Sequence, residues 1–287
     1  MNIISSSSHR SKEPESGVLY LVGTPIGNLN DISSRAIYIL KNVSIIACED
    51  TRETKKITNR FEIKNRLISF NKHNSLMKIP KIINYLKEGK SVALVSDAGM
   101  PSICDPGEDL VKSVKLNQLE AICIPGPSAA LAALISSGFS SSKFVFEGFL
   151  PKKKKEREKI LTEISQNVKT TVVFESPHRL NKLLSELKEH CGGQREINVS
   201  RELTKKFEEH INNTIDKVIE ILKGREVLGE ITIVIKGLEK INDDEFNKLD
   251  VKKELNELIN AGLSLSAASR YLAKKKNLTK NVIYNLY

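Results

Sequence analysis

The chain has 287 residues, 40% hydrophobic and 28% charged, with 45 Lys and Arg against 35 Asp and Glu for a net charge of +10. This is the composition of a globular protein and excludes a disordered chain, and no stretch approaches the roughly 18 consecutive apolar residues of a membrane-spanning helix. The positive balance favours an anionic partner without naming it.

Met1 to Ser16 has neither the apolar core of a signal peptide nor an amphipathic Arg-rich pattern. It reads as a disordered leader, and the protein is expected in the cytoplasm. Apolar β-branched runs then alternate with amphipathic stretches, the signature of an α/β protein. Strands are expected at Val18 to Val22, Val43 to Cys48, Leu67 to Phe70, Val92 to Ser96 and Ala121 to Ile124. Helices fall between them, around Asp31 to Leu40, Arg52 to Phe61, Ile79 to Lys87 and Asp109 to Leu116, with Pro80 confined to a first turn. After a small-residue helix, Pro127 to Ser137, the flexible composition around Gly138 marks a domain boundary.

The pattern then restarts with strands near Phe144 to Phe149, Thr171 to Phe174, Ile197 to Arg201 and Ile231 to Ile235. The helices Lys153 to Ile164, Leu180 to His190 and Ile215 to Leu222 separate them. The expected organisation is a leader over 1–16, α/β domains over 17–138 and 139–240, and a small helical domain over 241–287 behind an Asn242-Asp243-Asp244 linker. Its helices, Val251 to Asn260, Ser266 to Lys275 and Lys280 to Leu286, would share a core of Leu255, Leu258, Ile259, Leu263, Ala267, Tyr271, Leu272 and Val282, resembling a helix-turn-helix unit.

Cys48, Cys104, Cys123 and Cys191 form no C-x-x-C pair and have no His at zinc spacing. They read as reduced thiols in or near the core, and no metal site is expected. Basic residues gather at Lys152 to Lys155 with Arg157 and Lys159, and again over Val251 to Tyr287, seven basic against two acidic. Either cluster alone reads equally well as a solvated helix face; two beside a candidate site favour nucleic acid.

Three Gly/Pro-rich loops, each after an expected strand, carry the most information: Gly23 to Asn28, Ser96 to Gly107, and Pro125 to Ala129. In open α/β sheets ligands sit beyond the carboxyl ends of strands, where glycine admits a close backbone approach and proline limits the entropy lost on binding. A single such loop is more simply a turn; three together read as a binding site. Neither G-x-G-x-x-G nor G-x-x-x-x-G-K-[ST] is present, which argues against a dinucleotide fold and a P-loop.

These loops, with Glu49-Asp50-Thr51-Arg52, Gly148-Phe149-Leu150-Pro151 and Phe174-Glu175-Ser176-Pro177-His178-Arg179-Leu180, occur in order from about Gly17 to Gly237. Together they resemble the RNA-modifying branch of the tetrapyrrole methylase superfamily, and the C-terminal helices resemble the extra domain of that branch. Met100 and Cys104 stand where Thr and Ser are more usual, which puts only side-chain contacts in doubt. The resemblance implies two α/β domains of the tetrapyrrole methylase type with the cofactor cleft between them, a homodimer, and S-adenosylmethionine as cofactor. It further implies 2′-O-ribose methylation of a cytidine in the decoding region of 16S ribosomal RNA, with the small subunit as partner. By the same resemblance the cofactor would touch Pro25, Asp97, Gly99, Pro101, Ile103, Ser128 and Ala129, and its adenine Phe174 and Leu203.

A ribose hydroxyl is a weak nucleophile, so a base or a cation near it would help. Glu49 or Asp50 is the first choice and His178 or Lys205 the second, although Asp50 suits a helix cap equally well. Arg52, Lys152, Lys153, Lys154, Lys155, Arg157 and Arg179 are candidate phosphate contacts, joined by Arg270, Lys274 and Lys275 in the tail; Arg179 can equally pair with Glu175. Rival expectations are a methyltransferase acting on a tetrapyrrole and a ribosome-binding factor without a cofactor cleft. The basic helical tail weighs against the first and the converging loops against the second.

Overall fold

The computed structural model describes residues 13–238, 248–276 and 280–287. Most of the leader and the linker at 242–244 lie outside them. The first sheet comprises β1 (Val18–Val22), β2 (Ile45–Cys48), β3 (Arg66–Ser69), β4 (Val92–Val95) and β5 (Glu120–Ile124). Its order is β3-β2-β4-β1-β5, and every pair is parallel. Helices α1 (Ser34–Asn42), α2 (Thr51–Arg60), α3 (Ser75–Lys87) and α4 (Glu108–Leu116) alternate with these strands. A parallel strand covered on both faces needs apolar residues at every position, and β2 and β4 are buried throughout. Because β1 lies between β4 and β5, the turns that follow these three strands leave one end of the sheet side by side.

Helix α5 (Ala129–Ser137) leads to a second sheet of β6 (Phe144–Phe149), β7 (Thr170–Glu175), β8 (Glu196–Arg201), β9 (Glu209–Thr214) and β10 (Ile231–Ile235). Its order is β6-β7-β10-β8-β9, with β6 parallel to β7 and the other pairs antiparallel. Helices α6 (Lys154–Gln166), α7 (Pro177–Cys191) and α8 (Ile215–Leu222) accompany it. The small residues of α5 let it pack closely: Ala130, Ala133 and Leu134 are buried with Val172 and Val234 of the second sheet and Ile26 of the first loop. Both sheets therefore belong to one compact unit that ends at Leu238, and α9 (Lys248–Asn260), α10 (Leu265–Lys276) and α11 (Lys280–Tyr284) lie in a second.

The structure departs from the sequence reading at several points. Strand β9 has no counterpart in that reading, because Glu-His-Ile-Asn-Asn-Thr has no apolar alternation; it is a half-exposed edge strand. Helix α3 begins at Ser75, so Pro80 lies beyond the first turn. The carbonyl that its missing N–H would have served belongs to Leu76, in a turn exposed enough for water to satisfy it. In α10 the buried positions are Ala268, Ser269, Leu272 and Ala273, which follow at helical spacing from Leu265, whereas Ala267 and Tyr271 are exposed. Ile283 is buried in place of Val282, and Leu263 is exposed. Cys48 is buried, but Cys123 faces solvent on edge strand β5.

Arg157 is not a surface cation. It is 4% exposed, and its guanidinium bonds Glu186 through Nη2 and Nε at 2.7 and 2.8 Å and reaches Glu175 at 3.5 Å. Arg179 completes the group, with Nε at 3.0 Å from Glu175 and Nη2 donating to the Leu150 carbonyl at 3.0 Å. This buried cluster fastens the turn after β6 to the turn after β7.

Replacing Arg157 with Met, which strands Glu175 and Glu186, is expected to lower unfolding free energy by about 3 kcal/mol in urea titration, the low end for a broken buried pair because Arg179 still serves Glu175. Lys155→Met, on the exposed side of the same helix, should change it by no more than about 0.5 kcal/mol. A Cβ at Gly126 would stand 2.8 Å from the Cα of Gly23. Gly126→Ala should therefore cost about 1–3 kcal/mol, read as a lower denaturation midpoint, since backbone cannot rotate away.

Candidate functional site

The three loops meet at the carboxyl end of the first sheet. Thr24 and Gly99 exchange backbone hydrogen bonds at 2.9 and 3.1 Å, and the Thr24 hydroxyl donates to the carbonyls of Ser96 and Gly99. Gly23 N donates to Ile124 O at 3.0 Å, which sets the first loop against the third. The central loop holds two non-glycine residues in the left-handed region, Ser102 at φ 71° and Cys104 at φ 66°. Backbone strain of this kind persists only where surrounding contacts enforce it, and it concentrates at ligand sites.

Between these loops and the second sheet lies a cavity of about 450 Å³, within the range of small-molecule sites. Of the expected cofactor contacts, Asp97, Gly99, Ile103, Ser128, Ala129 and Phe174 line it. Pro25 and Pro101 are buried but stand outside the lining, and Leu203 is packed into the core with Ile26. Ile26, not Pro25, is the residue the first loop presents. The opposite wall carries Phe149, edge-on to Phe174 with ring centroids 5.6 Å apart, and Ser176. Glu230, just before β10, and Thr232, within it, also line the cavity and escaped the sequence reading because no motif marks them.

The four candidate bases separate clearly. Asp50 caps α2, accepting from Arg52 N at 2.8 Å, and pairs with Arg52 Nη2 at 2.6 Å. The Arg52 guanidinium and backbone N–H hold its carboxyl down to about 2, so it is a poor proton acceptor. Lys205 donates to Glu202 at 2.8 Å and Glu230 at 3.1 Å; burial works against its charge, but these bonds raise its pKa, so it stays protonated. His178 is exposed and outside the cavity lining. Glu49 lines the cavity, and burial, followed by the carboxylates of Asp105 and Asp97, pushes its pKa up. Burial raises Asp97 and Asp105 as well.

The candidate phosphate contacts lie in several environments. Lys152 to Lys155 are exposed beyond Phe149-Leu150-Pro151, with Lys153 and Lys154 paired to Glu156 and Glu158 along α6. Such exposed pairs are weak and can open for a phosphate. The Arg52 side chain is 86% exposed, and Arg179 is held by Glu175 and Leu150. In the second unit Arg270 and Lys274 are exposed, and Lys275 pairs with Glu254.

The sequence profile of the Tetrapyrrole (Corrin/Porphyrin) Methylases matches residues 18–219. A protein of Bacillus subtilis named Ribosomal RNA small subunit methyltransferase I is 42% identical over 275 residues, 94% of both chains. One of that name from Synechocystis is 40% identical, over 94% of this chain and 97% of its own. Among solved structures, a cobalt precorrin-4 methyltransferase superposes with a TM-score of 0.60 at 14% identity, covering 77% of this chain and 95% of its own. A uroporphyrin-III C-methyltransferase of Thermus thermophilus, complexed with S-adenosyl homocysteine, does so with a TM-score of 0.55 at 15% identity, over 75% and 96%. The fold, the converging loops and these relatives agree: the chain belongs to the tetrapyrrole methylase family, alongside proteins named ribosomal RNA small subunit methyltransferase I.

Proposed function

We propose that this protein methylates the 2′-hydroxyl of a cytidine in the decoding region of 16S ribosomal RNA, using S-adenosylmethionine and acting as a cytoplasmic homodimer on the small subunit. The observation that carries this reading is 40–42% identity, across 94% of the chain, to proteins named for small-subunit ribosomal RNA methylation.

The cavity fits the donor's chemistry. S-adenosylmethionine is cationic at sulfur and at its amino group, and Glu49, Asp97 and Asp105 give the cavity an acidic wall. Ser128 and the Gly99 backbone offer polar contacts without bulk, and Phe149 and Phe174 offer flat apolar surface for an adenine. When bound, the donor supplies an electrophilic methyl whose bond to sulfur breaks as the new C–O bond forms, the electron pair staying on sulfur. The protein's part is to exclude water, align the hydroxyl and remove its proton. Glu49 is the residue assigned to the proton, because its carboxylate lines the cavity and its raised pKa makes it a stronger base than Asp50. Lys152 to Lys155 are assigned to RNA phosphates, three residues and more beyond cavity-lining Phe149.

Incubation with labelled S-adenosylmethionine and small subunits lacking the modification should place one methyl on a cytidine ribose, mapped by mass spectrometry of nucleosides. Transfer to a tetrapyrrole and not to RNA would overturn the reading. Glu49→Gln should lower kcat roughly 100-fold or more with S-adenosylhomocysteine affinity nearly unchanged by calorimetry. In the wild type, the rate should fall as pH drops through the raised Glu49 pKa, because protonation removes the base. Changing Lys152 to Lys155 together to Gln should weaken RNA binding and reduce the slope of log affinity against log salt by about 0.7 for each phosphate no longer neutralised.

A further inference from the structure

The turn that follows β3 is locked by its own side chains. Asn71 N donates to Asn74 Oδ1 at 2.9 Å, the backbone N–H groups of His73 and Asn74 donate to Asn71 Oδ1 at 3.1 and 3.2 Å, and both asparagine amides donate to Ser69 Oγ. From this turn the exposed Lys72 side chain crosses to the central loop, where Nζ donates to the Cys104 carbonyl at 2.9 Å. Cys104 is one of the two left-handed non-glycine residues of that loop, and it lines the cavity with Asp105 and Glu49. The Cys104 carbonyl is the one hydrogen-bond acceptor of Lys72 among the described residues, so two of the three ammonium protons remain available beside this cavity-lining residue.

We propose that Lys72 is a positioning residue of the methyl-transfer site: its ammonium, clamped to the Cys104 carbonyl, holds the strained 102–105 segment and keeps the Glu49 carboxylate ionised beside the reacting hydroxyl. This rests on the assignment of Glu49 as the base. The groups that act on Glu49 are Asp105, Asp97 and Asp50, all acidic, and Lys72, the single cation among them. Burial and the acids raise Glu49; Lys72 opposes them, and it opposes the rise at Asp105 too. Without Lys72 a desolvated carboxylate flanked by three others takes up a proton at higher pH and is left protonated, unable to accept the hydroxyl proton, over a wider acidic range. Lys72 also places an exposed cation beside Cys104 of an acidic cavity whose proposed substrate is a polyanion.

The test is the pH dependence of kcat/KM for small subunits lacking the methyl group, compared across wild type, Lys72→Met and Lys72→Arg. Lys72→Met is expected to move the acidic limb upward by about one pH unit, a tenfold rate loss below the limb, while Lys72→Arg restores most of it. S-adenosylhomocysteine affinity by calorimetry and the thermal midpoint identify a misfolded variant, in which case Lys72→Gln takes the place of Lys72→Met. An acidic limb that stays in place, whether the rate is unchanged or lowered equally at every pH, overturns the proposal while leaving Glu49 as base. Full activity in Glu49→Gln overturns the base assignment and this inference with it.

Discussion

The site depends on a contact between two stretches of backbone. Gly23, after β1, and Gly126, after β5, lie so close that a Cβ on either would stand 2.7 to 2.8 Å from the other's Cα. Parallel pairing of β1 with β4 and β5 brings three turns to one edge of the sheet, but topology alone leaves them a side chain's width apart. Glycine removes that width, and the paired hydrogen bonds of Thr24 with Gly99 then tie the central loop to the other two. The cavity follows from this closure, since its floor is made of loops with nowhere else to go. The third loop runs directly into α5, whose alanines pack on the second sheet, so the same closure sets the distance between the cavity's two walls.

Much of this was legible in the chain. Uninterrupted apolar runs gave the buried parallel strands, and Gly and Pro after three of them gave the loops that converge. The cavity-lining residues followed where a motif marked them, as at Asp97, Gly99 and Ser128. What could not be read has physical reasons. Arg157 lies in a run of lysines and looks like one more surface cation; only the return of Glu175 and Glu186 from distant sequence buries it. Strand β9 is polar because it lies at the sheet edge with its side chains half or fully exposed, so no apolar alternation is required of it. The face of α10 is displaced by one residue from the sequence reading, as happens when alanines on adjacent positions blur the apolar stripe. Glu230 and Thr232 enter the cavity through strand order alone, because β10 is inserted between β7 and β8.

Neighbouring carboxylates show how position, not residue type, divides the chemistry. Glu49 and Asp50 follow β2 directly, and the sequence separates them only in that Asp50 suits the cap of the helix that follows. Asp50 occupies the N-cap of α2, where free N–H groups and the positive end of the helix favour its anion, and Arg52 adds a pair. Those same contacts make it a weak base. Among the described residues Glu49 has no such partner; it lines the cavity, and burial, followed by the Asp105 and Asp97 carboxylates, raises its proton affinity, which favours a base. One residue's step along the chain converts a structural anion into a candidate catalyst.

This arrangement sets two requirements against each other. A donor carrying positive charge is attracted by acids in the cavity, and the same acids repel an RNA backbone. The carboxylates are partly buried, so salt, with a Debye length of about 8 Å, screens that repulsion only in part. The protein separates the two charges in space: the carboxylates line the cavity, while Lys72, bonded to the lining residue Cys104, and Lys152 to Lys155, just after the lining residue Phe149 in sequence, are exposed. Net charge of +10 is therefore the lesser part of the electrostatic description. What matters for a substrate bridging both zones is the change of sign over a few residues, from Glu49 and Asp105 within to lysine without.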